Sequence, residues 1–466
     1  MEMSDGVTPK VTLQQAVVDS DVAIINDSLP PDVSCKETRR PIILDIILLA
    51  FCFCLGMGAL FASISIISLV VAERVNPALA LVPSGLQKAV STLVVFPGAR
   101  YRTKNGFAVA AIVSCAGYAL SAAAVVLIGD NVLSFGILCL GYCASGFSDP
   151  FVQFLRFAAA DIAPTAFKPT AIAYVVAGGS LAALAGPEIA NLLVDAVPGH
   201  RFAGAFLGIA MLLLLQACVI LRVDFSPAAS TKPTVKVMDE DTHIAATATA
   251  AAAAAAAATG AETDSLASIV CQPQFILVAS TASIMQMTMV CPMQICPFAM
   301  EQAGFQLWHS VRVIQAHILG MYLPSFFTGH LMSKFGKYRM MLYGILVSFV
   351  SSSCLLLDVS SFWGYFICLT LIGVGWNWGY VSASSLLTEA TDTYSDAGQA
   401  KAKGFNDFCV QFLSAVGTVG TGVAVASLGW ASLVAVSVVL LAVQLLIVIT
   451  LPRCEQHLLQ ARNPPA

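Results

Sequence analysis

Apolar runs of about twenty residues alternate with short polar turns along this chain, and the length needed to cross a bilayer as a helix recurs twelve times. The runs are Ile42–Val71, Ala78–Phe96, Gly106–Leu127, Leu133–Phe157, Thr170–Val194, Phe202–Leu221, Phe275–Phe298, Val311–Met332, Met340–Leu357, Phe362–Leu387, Phe405–Leu428 and Ala431–Leu451. The second holds Lys88, and prolines at 292 and 297 predict a break in the seventh. Polar sequence divides the chain into a tail (1–41), a first six-helix half (42–221), a linker (222–273), a second six-helix half (274–451) and a second tail (452–466). The linker contains the alanine run Ala250–Ala258, a low-complexity composition that needs no specific function.

Composition sharpens this picture. Of 466 residues, 58% are hydrophobic and 11% charged, against about 25% charged in a soluble domain. So few charges cannot cover a water-soluble surface, which excludes a soluble enzyme, a disordered chain and a nucleic-acid binder. The pattern predicts an all-α membrane protein. Lys and Arg gather on one side: the tails, the linker and alternate loops hold all but Lys88, Arg74, Arg201 and Arg312. By the positive-inside rule both termini and the linker are cytosolic. The chain is expected to be a multi-pass monomer of the plasma membrane, without a cleaved signal peptide. Most of the 14 cysteines lie inside apolar runs and read as small hydrophobes. No metal-ligand spacing, nucleophile elbow or phosphate loop is apparent, so neither an enzyme nor a bound metal or cofactor is expected.

An internal repeat supports the division into halves. Pro97-Gly98-Ala99-Arg100-Tyr101-Arg102-Thr103-Lys104 follows the second run, and a basic turn, Gly329 to Arg339, follows the eighth. Gly98 and Gly329 stand about half the chain apart. Two parallel six-helix halves are an architecture of secondary transporters.

The turn at Gly329–Arg339 resembles the loop 2–3 signature of the major facilitator superfamily (MFS), with Ser333 where the family has an acid. Ala177-Gly178-Gly179 and Ala185-Gly186-Pro187 resemble the helix-5 motif of MFS exporters, although Ile189-Ala190 replace its later glycines. Four strings are similar to an MFS branch that includes riboflavin permeases of bacteria and protists: Gln153–Asp161, Pro324–Gly329, Gly375-Trp376-Asn377 and Gly404-Phe405-Asn406-Asp407. The resemblance implies the MFS fold, twelve transmembrane helices in two six-helix halves, and alternating access. The predicted activity is non-ATP transport of a small organic solute, first of all riboflavin uptake; the alternative is proton-coupled export of drugs or metabolites. Charges at the cytosolic side, Arg100, Arg102, Arg156, Asp161, Lys334, Lys337, Arg339 and Glu389, are expected to form a gate.

The candidate solute site follows from residue type and from the family's use of helices 4, 7 and 10. Tyr142, Asp149, Gln153 and Arg156 recur at helical spacing on the fourth run, either as a structural polar seam or as a cavity wall. Trp376 and Tyr380 stand four apart on the tenth run beside Asn377, and Gln286 lies on the seventh. Aromatic faces next to amides suit a flat heteroaromatic ring with a hydroxylated chain. Lys88 is expected to pair with Asp45 or Asp149, or to reach the interface. Glu188 and His317 are candidates for proton coupling, against structural roles for each.

Overall fold

The computed structural model describes residues 42–98, 101–127, 132–164, 167–225, 265–357, 361–391 and 394–462. Arg100, the terminal tail before Ile42 and most of the Ala-rich linker lie outside them. Among the described residues the regular structure is helical, without strands. This is what a bilayer imposes, because a helix satisfies every backbone polar group within its own segment.

The first set of helices is α1 (Ile42–Arg74), α2 (Val82–Gly98), α3 (Lys104–Leu127), α4 (Val132–Ser145), α5 (Ser148–Ile162), α6 (Lys168–Leu193) and α7 (Ala203–Ile220). A short helix, α8 (Leu266–Val270), opens the second set. There follow α9 (Pro273–Gln302), α10 (Leu307–Tyr322), α11 (Ser325–Phe335), α12 (Lys337–Leu357), α13 (Phe362–Thr391), α14 (Asp396–Leu428) and α15 (Trp430–Arg462). Eleven helical stretches among the described residues are long and apolar enough to cross a membrane, with α4 and α5 sharing one path.

Proline chemistry explains where the predicted runs and the helices differ. The eighth run is not one helix but two, α10 and α11, parted at Leu323-Pro324. Pro324 has no N–H to offer the Gly320 carbonyl, and its ring crowds that carbonyl. The fourth run is likewise interrupted at Gly146-Phe147, four residues before Pro150, which sits in the first turn of α5. The seventh run behaves in the opposite way: α9 continues through Pro292 and Pro297, correcting the predicted break. Buried on most sides over this stretch, the helix continues past two missing hydrogen bonds, as membrane helices tolerate. The last helix also runs past Leu451, where the tail was expected to begin.

Small residues set the closest approaches. A Cβ on Gly186 of α6 would meet the Gly58 carbonyl of α1 at 2.4 Å, and one on Gly146 would meet the Gln87 carbonyl of α2 at 2.5 Å. Gly178 and Gly186 of the fifth run thus lie directly on α1.

Between the two sets, α14 lies against α2 and the Pro77–Leu79 turn, α10 against α6, and α9 against α1. These contacts concentrate at the end remote from the tails. One apolar cluster there joins both sets, with Ile66, Leu81 and Phe206 beside Ile295, Tyr365 and Trp430. At the tail end, Phe275, Met341, Leu387 and Leu441 cluster with second-set residues alone. The sets therefore close on each other at one end and part towards the other.

Candidate functional site

The interruption between α4 and α5 decides which polar residues of the fourth run look inward. Tyr142, before it, is 0% exposed. Its hydroxyl shares a 2.7 Å hydrogen bond with Ser63 Oγ, and its ring packs edge-on to Tyr118 and Phe206. The structure gives Tyr142 a packing position rather than a place on a cavity wall. Beyond the interruption, Asp149 stands 3.5 Å from Lys88 Nζ. Each side chain is only 12% exposed, so the pair lies inside the first set, where either charge alone is costly. Asp45, the other partner considered for Lys88, instead accepts from the Asp224 backbone N–H at 3.1 Å. Gln153 is half-buried, with Nε2 3.5 Å from the Met57 sulfur.

Arg156 lies one turn further on. Its guanidinium is 4.8 Å from the centre of the Phe157 ring, and its buried Nε finds no partner among the described residues. Across the sets, the ring of Tyr322 on α10 packs edge-on to Phe61 of α1 at 6.2 Å. Arg156 was expected at the gate with Asp161, whose ion-pair partner is Arg102. Asp407 is exposed within its span, and Asn406 Nδ2 donates to it at 3.2 Å.

The second set supplies an aromatic wall. The Trp376 and Tyr380 rings stack at 5.0 Å with an interplanar angle of 16°. Trp376 Nε1 donates to Gln286 Oε1 at 2.9 Å, so Gln286 fixes the indole rather than standing free. Asn377, adjacent in sequence, points elsewhere. It is 1% exposed, donates to the Met321 carbonyl at 2.7 Å and to Ser325 Oγ at 2.6 Å, and accepts from Thr328 Oγ1 at 2.6 Å. These partners flank the Leu323-Pro324 break, so Asn377 pins the broken span. Asn377 and Tyr142 are thus the two candidate solute contacts that the structure withdraws into packing.

The candidate proton carriers are engaged as well. His317 is 1% exposed, with Nδ1 2.5 Å from the Leu369 carbonyl. Glu188 stands 3.2 Å from Arg312 and accepts from Gln315 Nε2 at 3.3 Å, linking α6 to α10. Gln315 also donates to the Leu184 carbonyl at 2.9 Å. At the same end Arg201 pairs with Glu73 and lies 3.9 Å from Glu301, which joins the first set to the second.

The expected gate charges at the tail end pair within each set. Arg102 is 3.9 Å from Asp161, and Lys337 is 2.5 Å from Glu389. Lys334 lies over the Phe335 ring at 5.5 Å, and Arg339 is exposed. Ser333, in the place of the family's acid, donates to the Gly329 carbonyl at 3.1 Å.

Two residues of this site, Tyr322 and Asp407, were not among the candidates. Asp407 carried a readable signal, an acid at the start of an apolar run. Tyr322 carried none, because its position depends on the break at Pro324. Among the described residues no group of three or more His, Cys, Asp or Glu is placed to hold a metal. A separate hollow of about 490 Å³ between α2, α3 and α5 is lined by apolar groups such as Val94, Val109 and Phe151, and holds none of these charges.

A family model described as Major Facilitator Superfamily matches residues 154–388. The chain is 33% identical to the riboflavin transporter RfnT of Brucella anthropi over 363 residues, 76% of this chain and 82% of that protein. It is 27% identical to an uncharacterized MFS-type transporter, YdeG of Bacillus subtilis, over 60% of this chain and 61% of that one. Among solved structures, the human organic anion transporter MFSD10 (TETRAN) superposes with a TM-score of 0.59 at 11% identity, over 88% of this chain and all of that one. A POT family transporter in complex with 5-aminolevulinic acid gives 0.60 at 13% identity, over 87% and 94%. These two likenesses concern the fold. With its all-helical fold, its multiple spans and this sequence match, the chain belongs to the major facilitator superfamily of membrane transporters.

Proposed function

We propose that the protein carries riboflavin, or a similarly flat heteroaromatic solute with a neutral hydroxylated chain, into the cell by alternating access. The observation that carries this reading is the stacked Trp376–Tyr380 pair, held in register by the Gln286 bond. Stacking on such faces contributes on the order of 1–3 kcal/mol per ring, comparable with what holds a nucleobase on an aromatic platform. The relative named a riboflavin transporter supports the same solute.

The protein acts as a monomer in the plasma membrane with both termini cytosolic. On that orientation the sets part towards the cytosol, and the Glu188–Arg312 and Glu73–Arg201–Glu301 links close the outer side. Purified protein in liposomes should take up labelled riboflavin and be competed by the unlabelled vitamin. A competing reading, proton-coupled export, draws on the Gly186-Pro187 segment packed on α1. Liposomes that move no riboflavin yet expel dyes under a pH gradient would establish that reading in its place.

A further inference from the structure

The hollow of about 490 Å³ among α2, α3 and α5 is lined by first-set residues alone. It is built on helical spacing. Val94 and Gly98 stand four apart on α2, Val109 and Val113 four apart on α3, and Phe147 and Phe151 four apart at the start of α5. Four-residue steps keep each pair on one helix face, so three apolar stripes converge on one channel. Gly98 leaves the room that a side chain would take, since a Cβ on it would meet the Phe151 ring at 3.3 Å. Towards the end remote from the tails, Gln87 Nε2 ties α2 to α3 by donating to the Tyr118 hydroxyl at 3.2 Å.

Along α3 the lining runs from Asn105, at the tail end, to Val113. That is about 12 Å of helix, most of the roughly 15 Å of hydrocarbon in one leaflet. Leu93 of α2 and Val109 and Ile112 of α3 are exposed apolar side chains within these spans, a surface that meets lipid. The mouth is basic. Arg102 and Lys104 flank Thr103, a lining residue, and Asp161, 3.9 Å from Arg102, balances one of the two charges. Lys104 has no ion-pair partner within 4 Å among the described residues.

We propose that this hollow is a lipid site. It takes one acyl chain of an anionic phospholipid from the leaflet on the side of the tails, with Lys104 at the headgroup phosphate. The site is independent of the solute that the transporter carries. Apolar walls give water no hydrogen-bond partners, whereas a methylene chain makes dispersion contacts with all three stripes. Apolar contact alone does not hold one lipid against exchange, because the surrounding tails are as apolar as the walls. Selection comes from the headgroup: a basic side chain at the membrane surface favours an anionic lipid by roughly fivefold.

The test is native mass spectrometry of full-length purified protein in detergent, titrated with phosphatidylglycerol and with phosphatidylcholine of the same chains. The wild type should retain one phosphatidylglycerol about fivefold more tightly than phosphatidylcholine, and added salt should narrow the difference. Val94→Phe, which fills the channel, should lose that one lipid of either kind. Lys104→Gln should keep phosphatidylcholine and remove the preference. Thermal unfolding midpoints show whether each variant is folded, and Val113→Phe fills the same channel from α3 should Val94→Phe fail that check. Equal lipid retention by wild type and the folded filling variant overturns the inference, as does a preference that survives Lys104→Gln. A dimer mass in place of bound lipid, lost in the filling variant, assigns the hollow to a second copy of the chain and overturns it as well.

Discussion

Lys337 Nζ lies 2.5 Å from the Glu389 carboxylate, and this pair repeats the Arg102–Asp161 pair of the first set. In each set a base from the turn after the second span meets an acid at the tail-facing end of the fourth. Ser333 cannot supply the family's loop acid, and the link is made instead from the loop's lysine to α13. Both pairs are substantially exposed, so each contributes only about 0.2–1 kcal/mol. Glu389→Gln or Asp161→Asn should therefore barely move the thermal midpoint. On the proposed gating role, uptake kinetics in liposomes should show a lower maximal rate with solute affinity within a few fold. Lys337→Glu with Glu389→Lys should recover part of the rate. A large loss of affinity at an unchanged rate would make these residues solute contacts instead.

The opposite end offers the complementary experiment. Glu188 and Arg312 join α6 to α10 at 3.2 Å where the sets are closed, and Arg201 adds a second crossing to Glu301 at 3.9 Å. Removing one partner by Arg312→Gln should favour opening on that side. A half-exposed pair is worth on the order of 0.2–1 kcal/mol, roughly a 1.4- to fivefold population change. Labelling of a cysteine introduced at Leu184, beside the Gln315 contact, should quicken by that factor. Unchanged labelling in both Arg312→Gln and Arg201→Gln would show that apolar packing alone holds the closure.

Much of this fold is readable in the sequence because bilayer length and loop charge are coarse, additive signals. Long apolar runs give the spans whatever their neighbours do. The candidate site was less readable, for a physical reason. Helical periodicity placed Tyr142 with Asp149, Gln153 and Arg156, but the interruption before Pro150 turns Tyr142 into the core. The tryptophan and asparagine at 376 and 377 are neighbours in sequence yet point to different places. One lies against Gln286; the other pins a helix break created by Pro324, fifty-odd residues away. Where a proline breaks one helix and spares another depends on packing that no local pattern carries.

Asn377 makes that last point testable. Replacing it with Ala leaves the Met321 carbonyl, Ser325 and Thr328 without their buried partner. Each group left unsatisfied costs about 1–3 kcal/mol. The thermal midpoint of Asn377→Ala in detergent should fall by several degrees, whereas Ser333→Ala, at an exposed position, should leave it in place. A variant that keeps its midpoint but loses riboflavin would return Asn377 to the solute site.

Topology is checked without any solute. The proposed orientation puts the N-terminal tail, residues 230–260 and the C-terminus in the cytosol. Epitope tags at all three should be labelled only after permeabilisation, and the Asn26-Asp27-Ser28 sequon should stay unmodified in a glycosylating host. Labelling at any one of them in intact cells would overturn the assignment of sides.

Trp376 is the most direct probe of the proposed solute. One of its faces is taken by Tyr380 and its N–H by Gln286, so the indole is held rigidly and its remaining surface is half-buried. A preordered platform binds a ring without first losing rotamer freedom. Trp376→Ala should cost about 1–3 kcal/mol, roughly fivefold to a hundredfold in riboflavin affinity. Trp376→Phe keeps a face but not the Gln286 bond and should fall between the two. Gln286→Leu, which frees the indole without removing it, should weaken binding only a few fold. If Gln286→Leu is as damaging as Trp376→Ala, the amide itself contacts the solute, and the platform is its support.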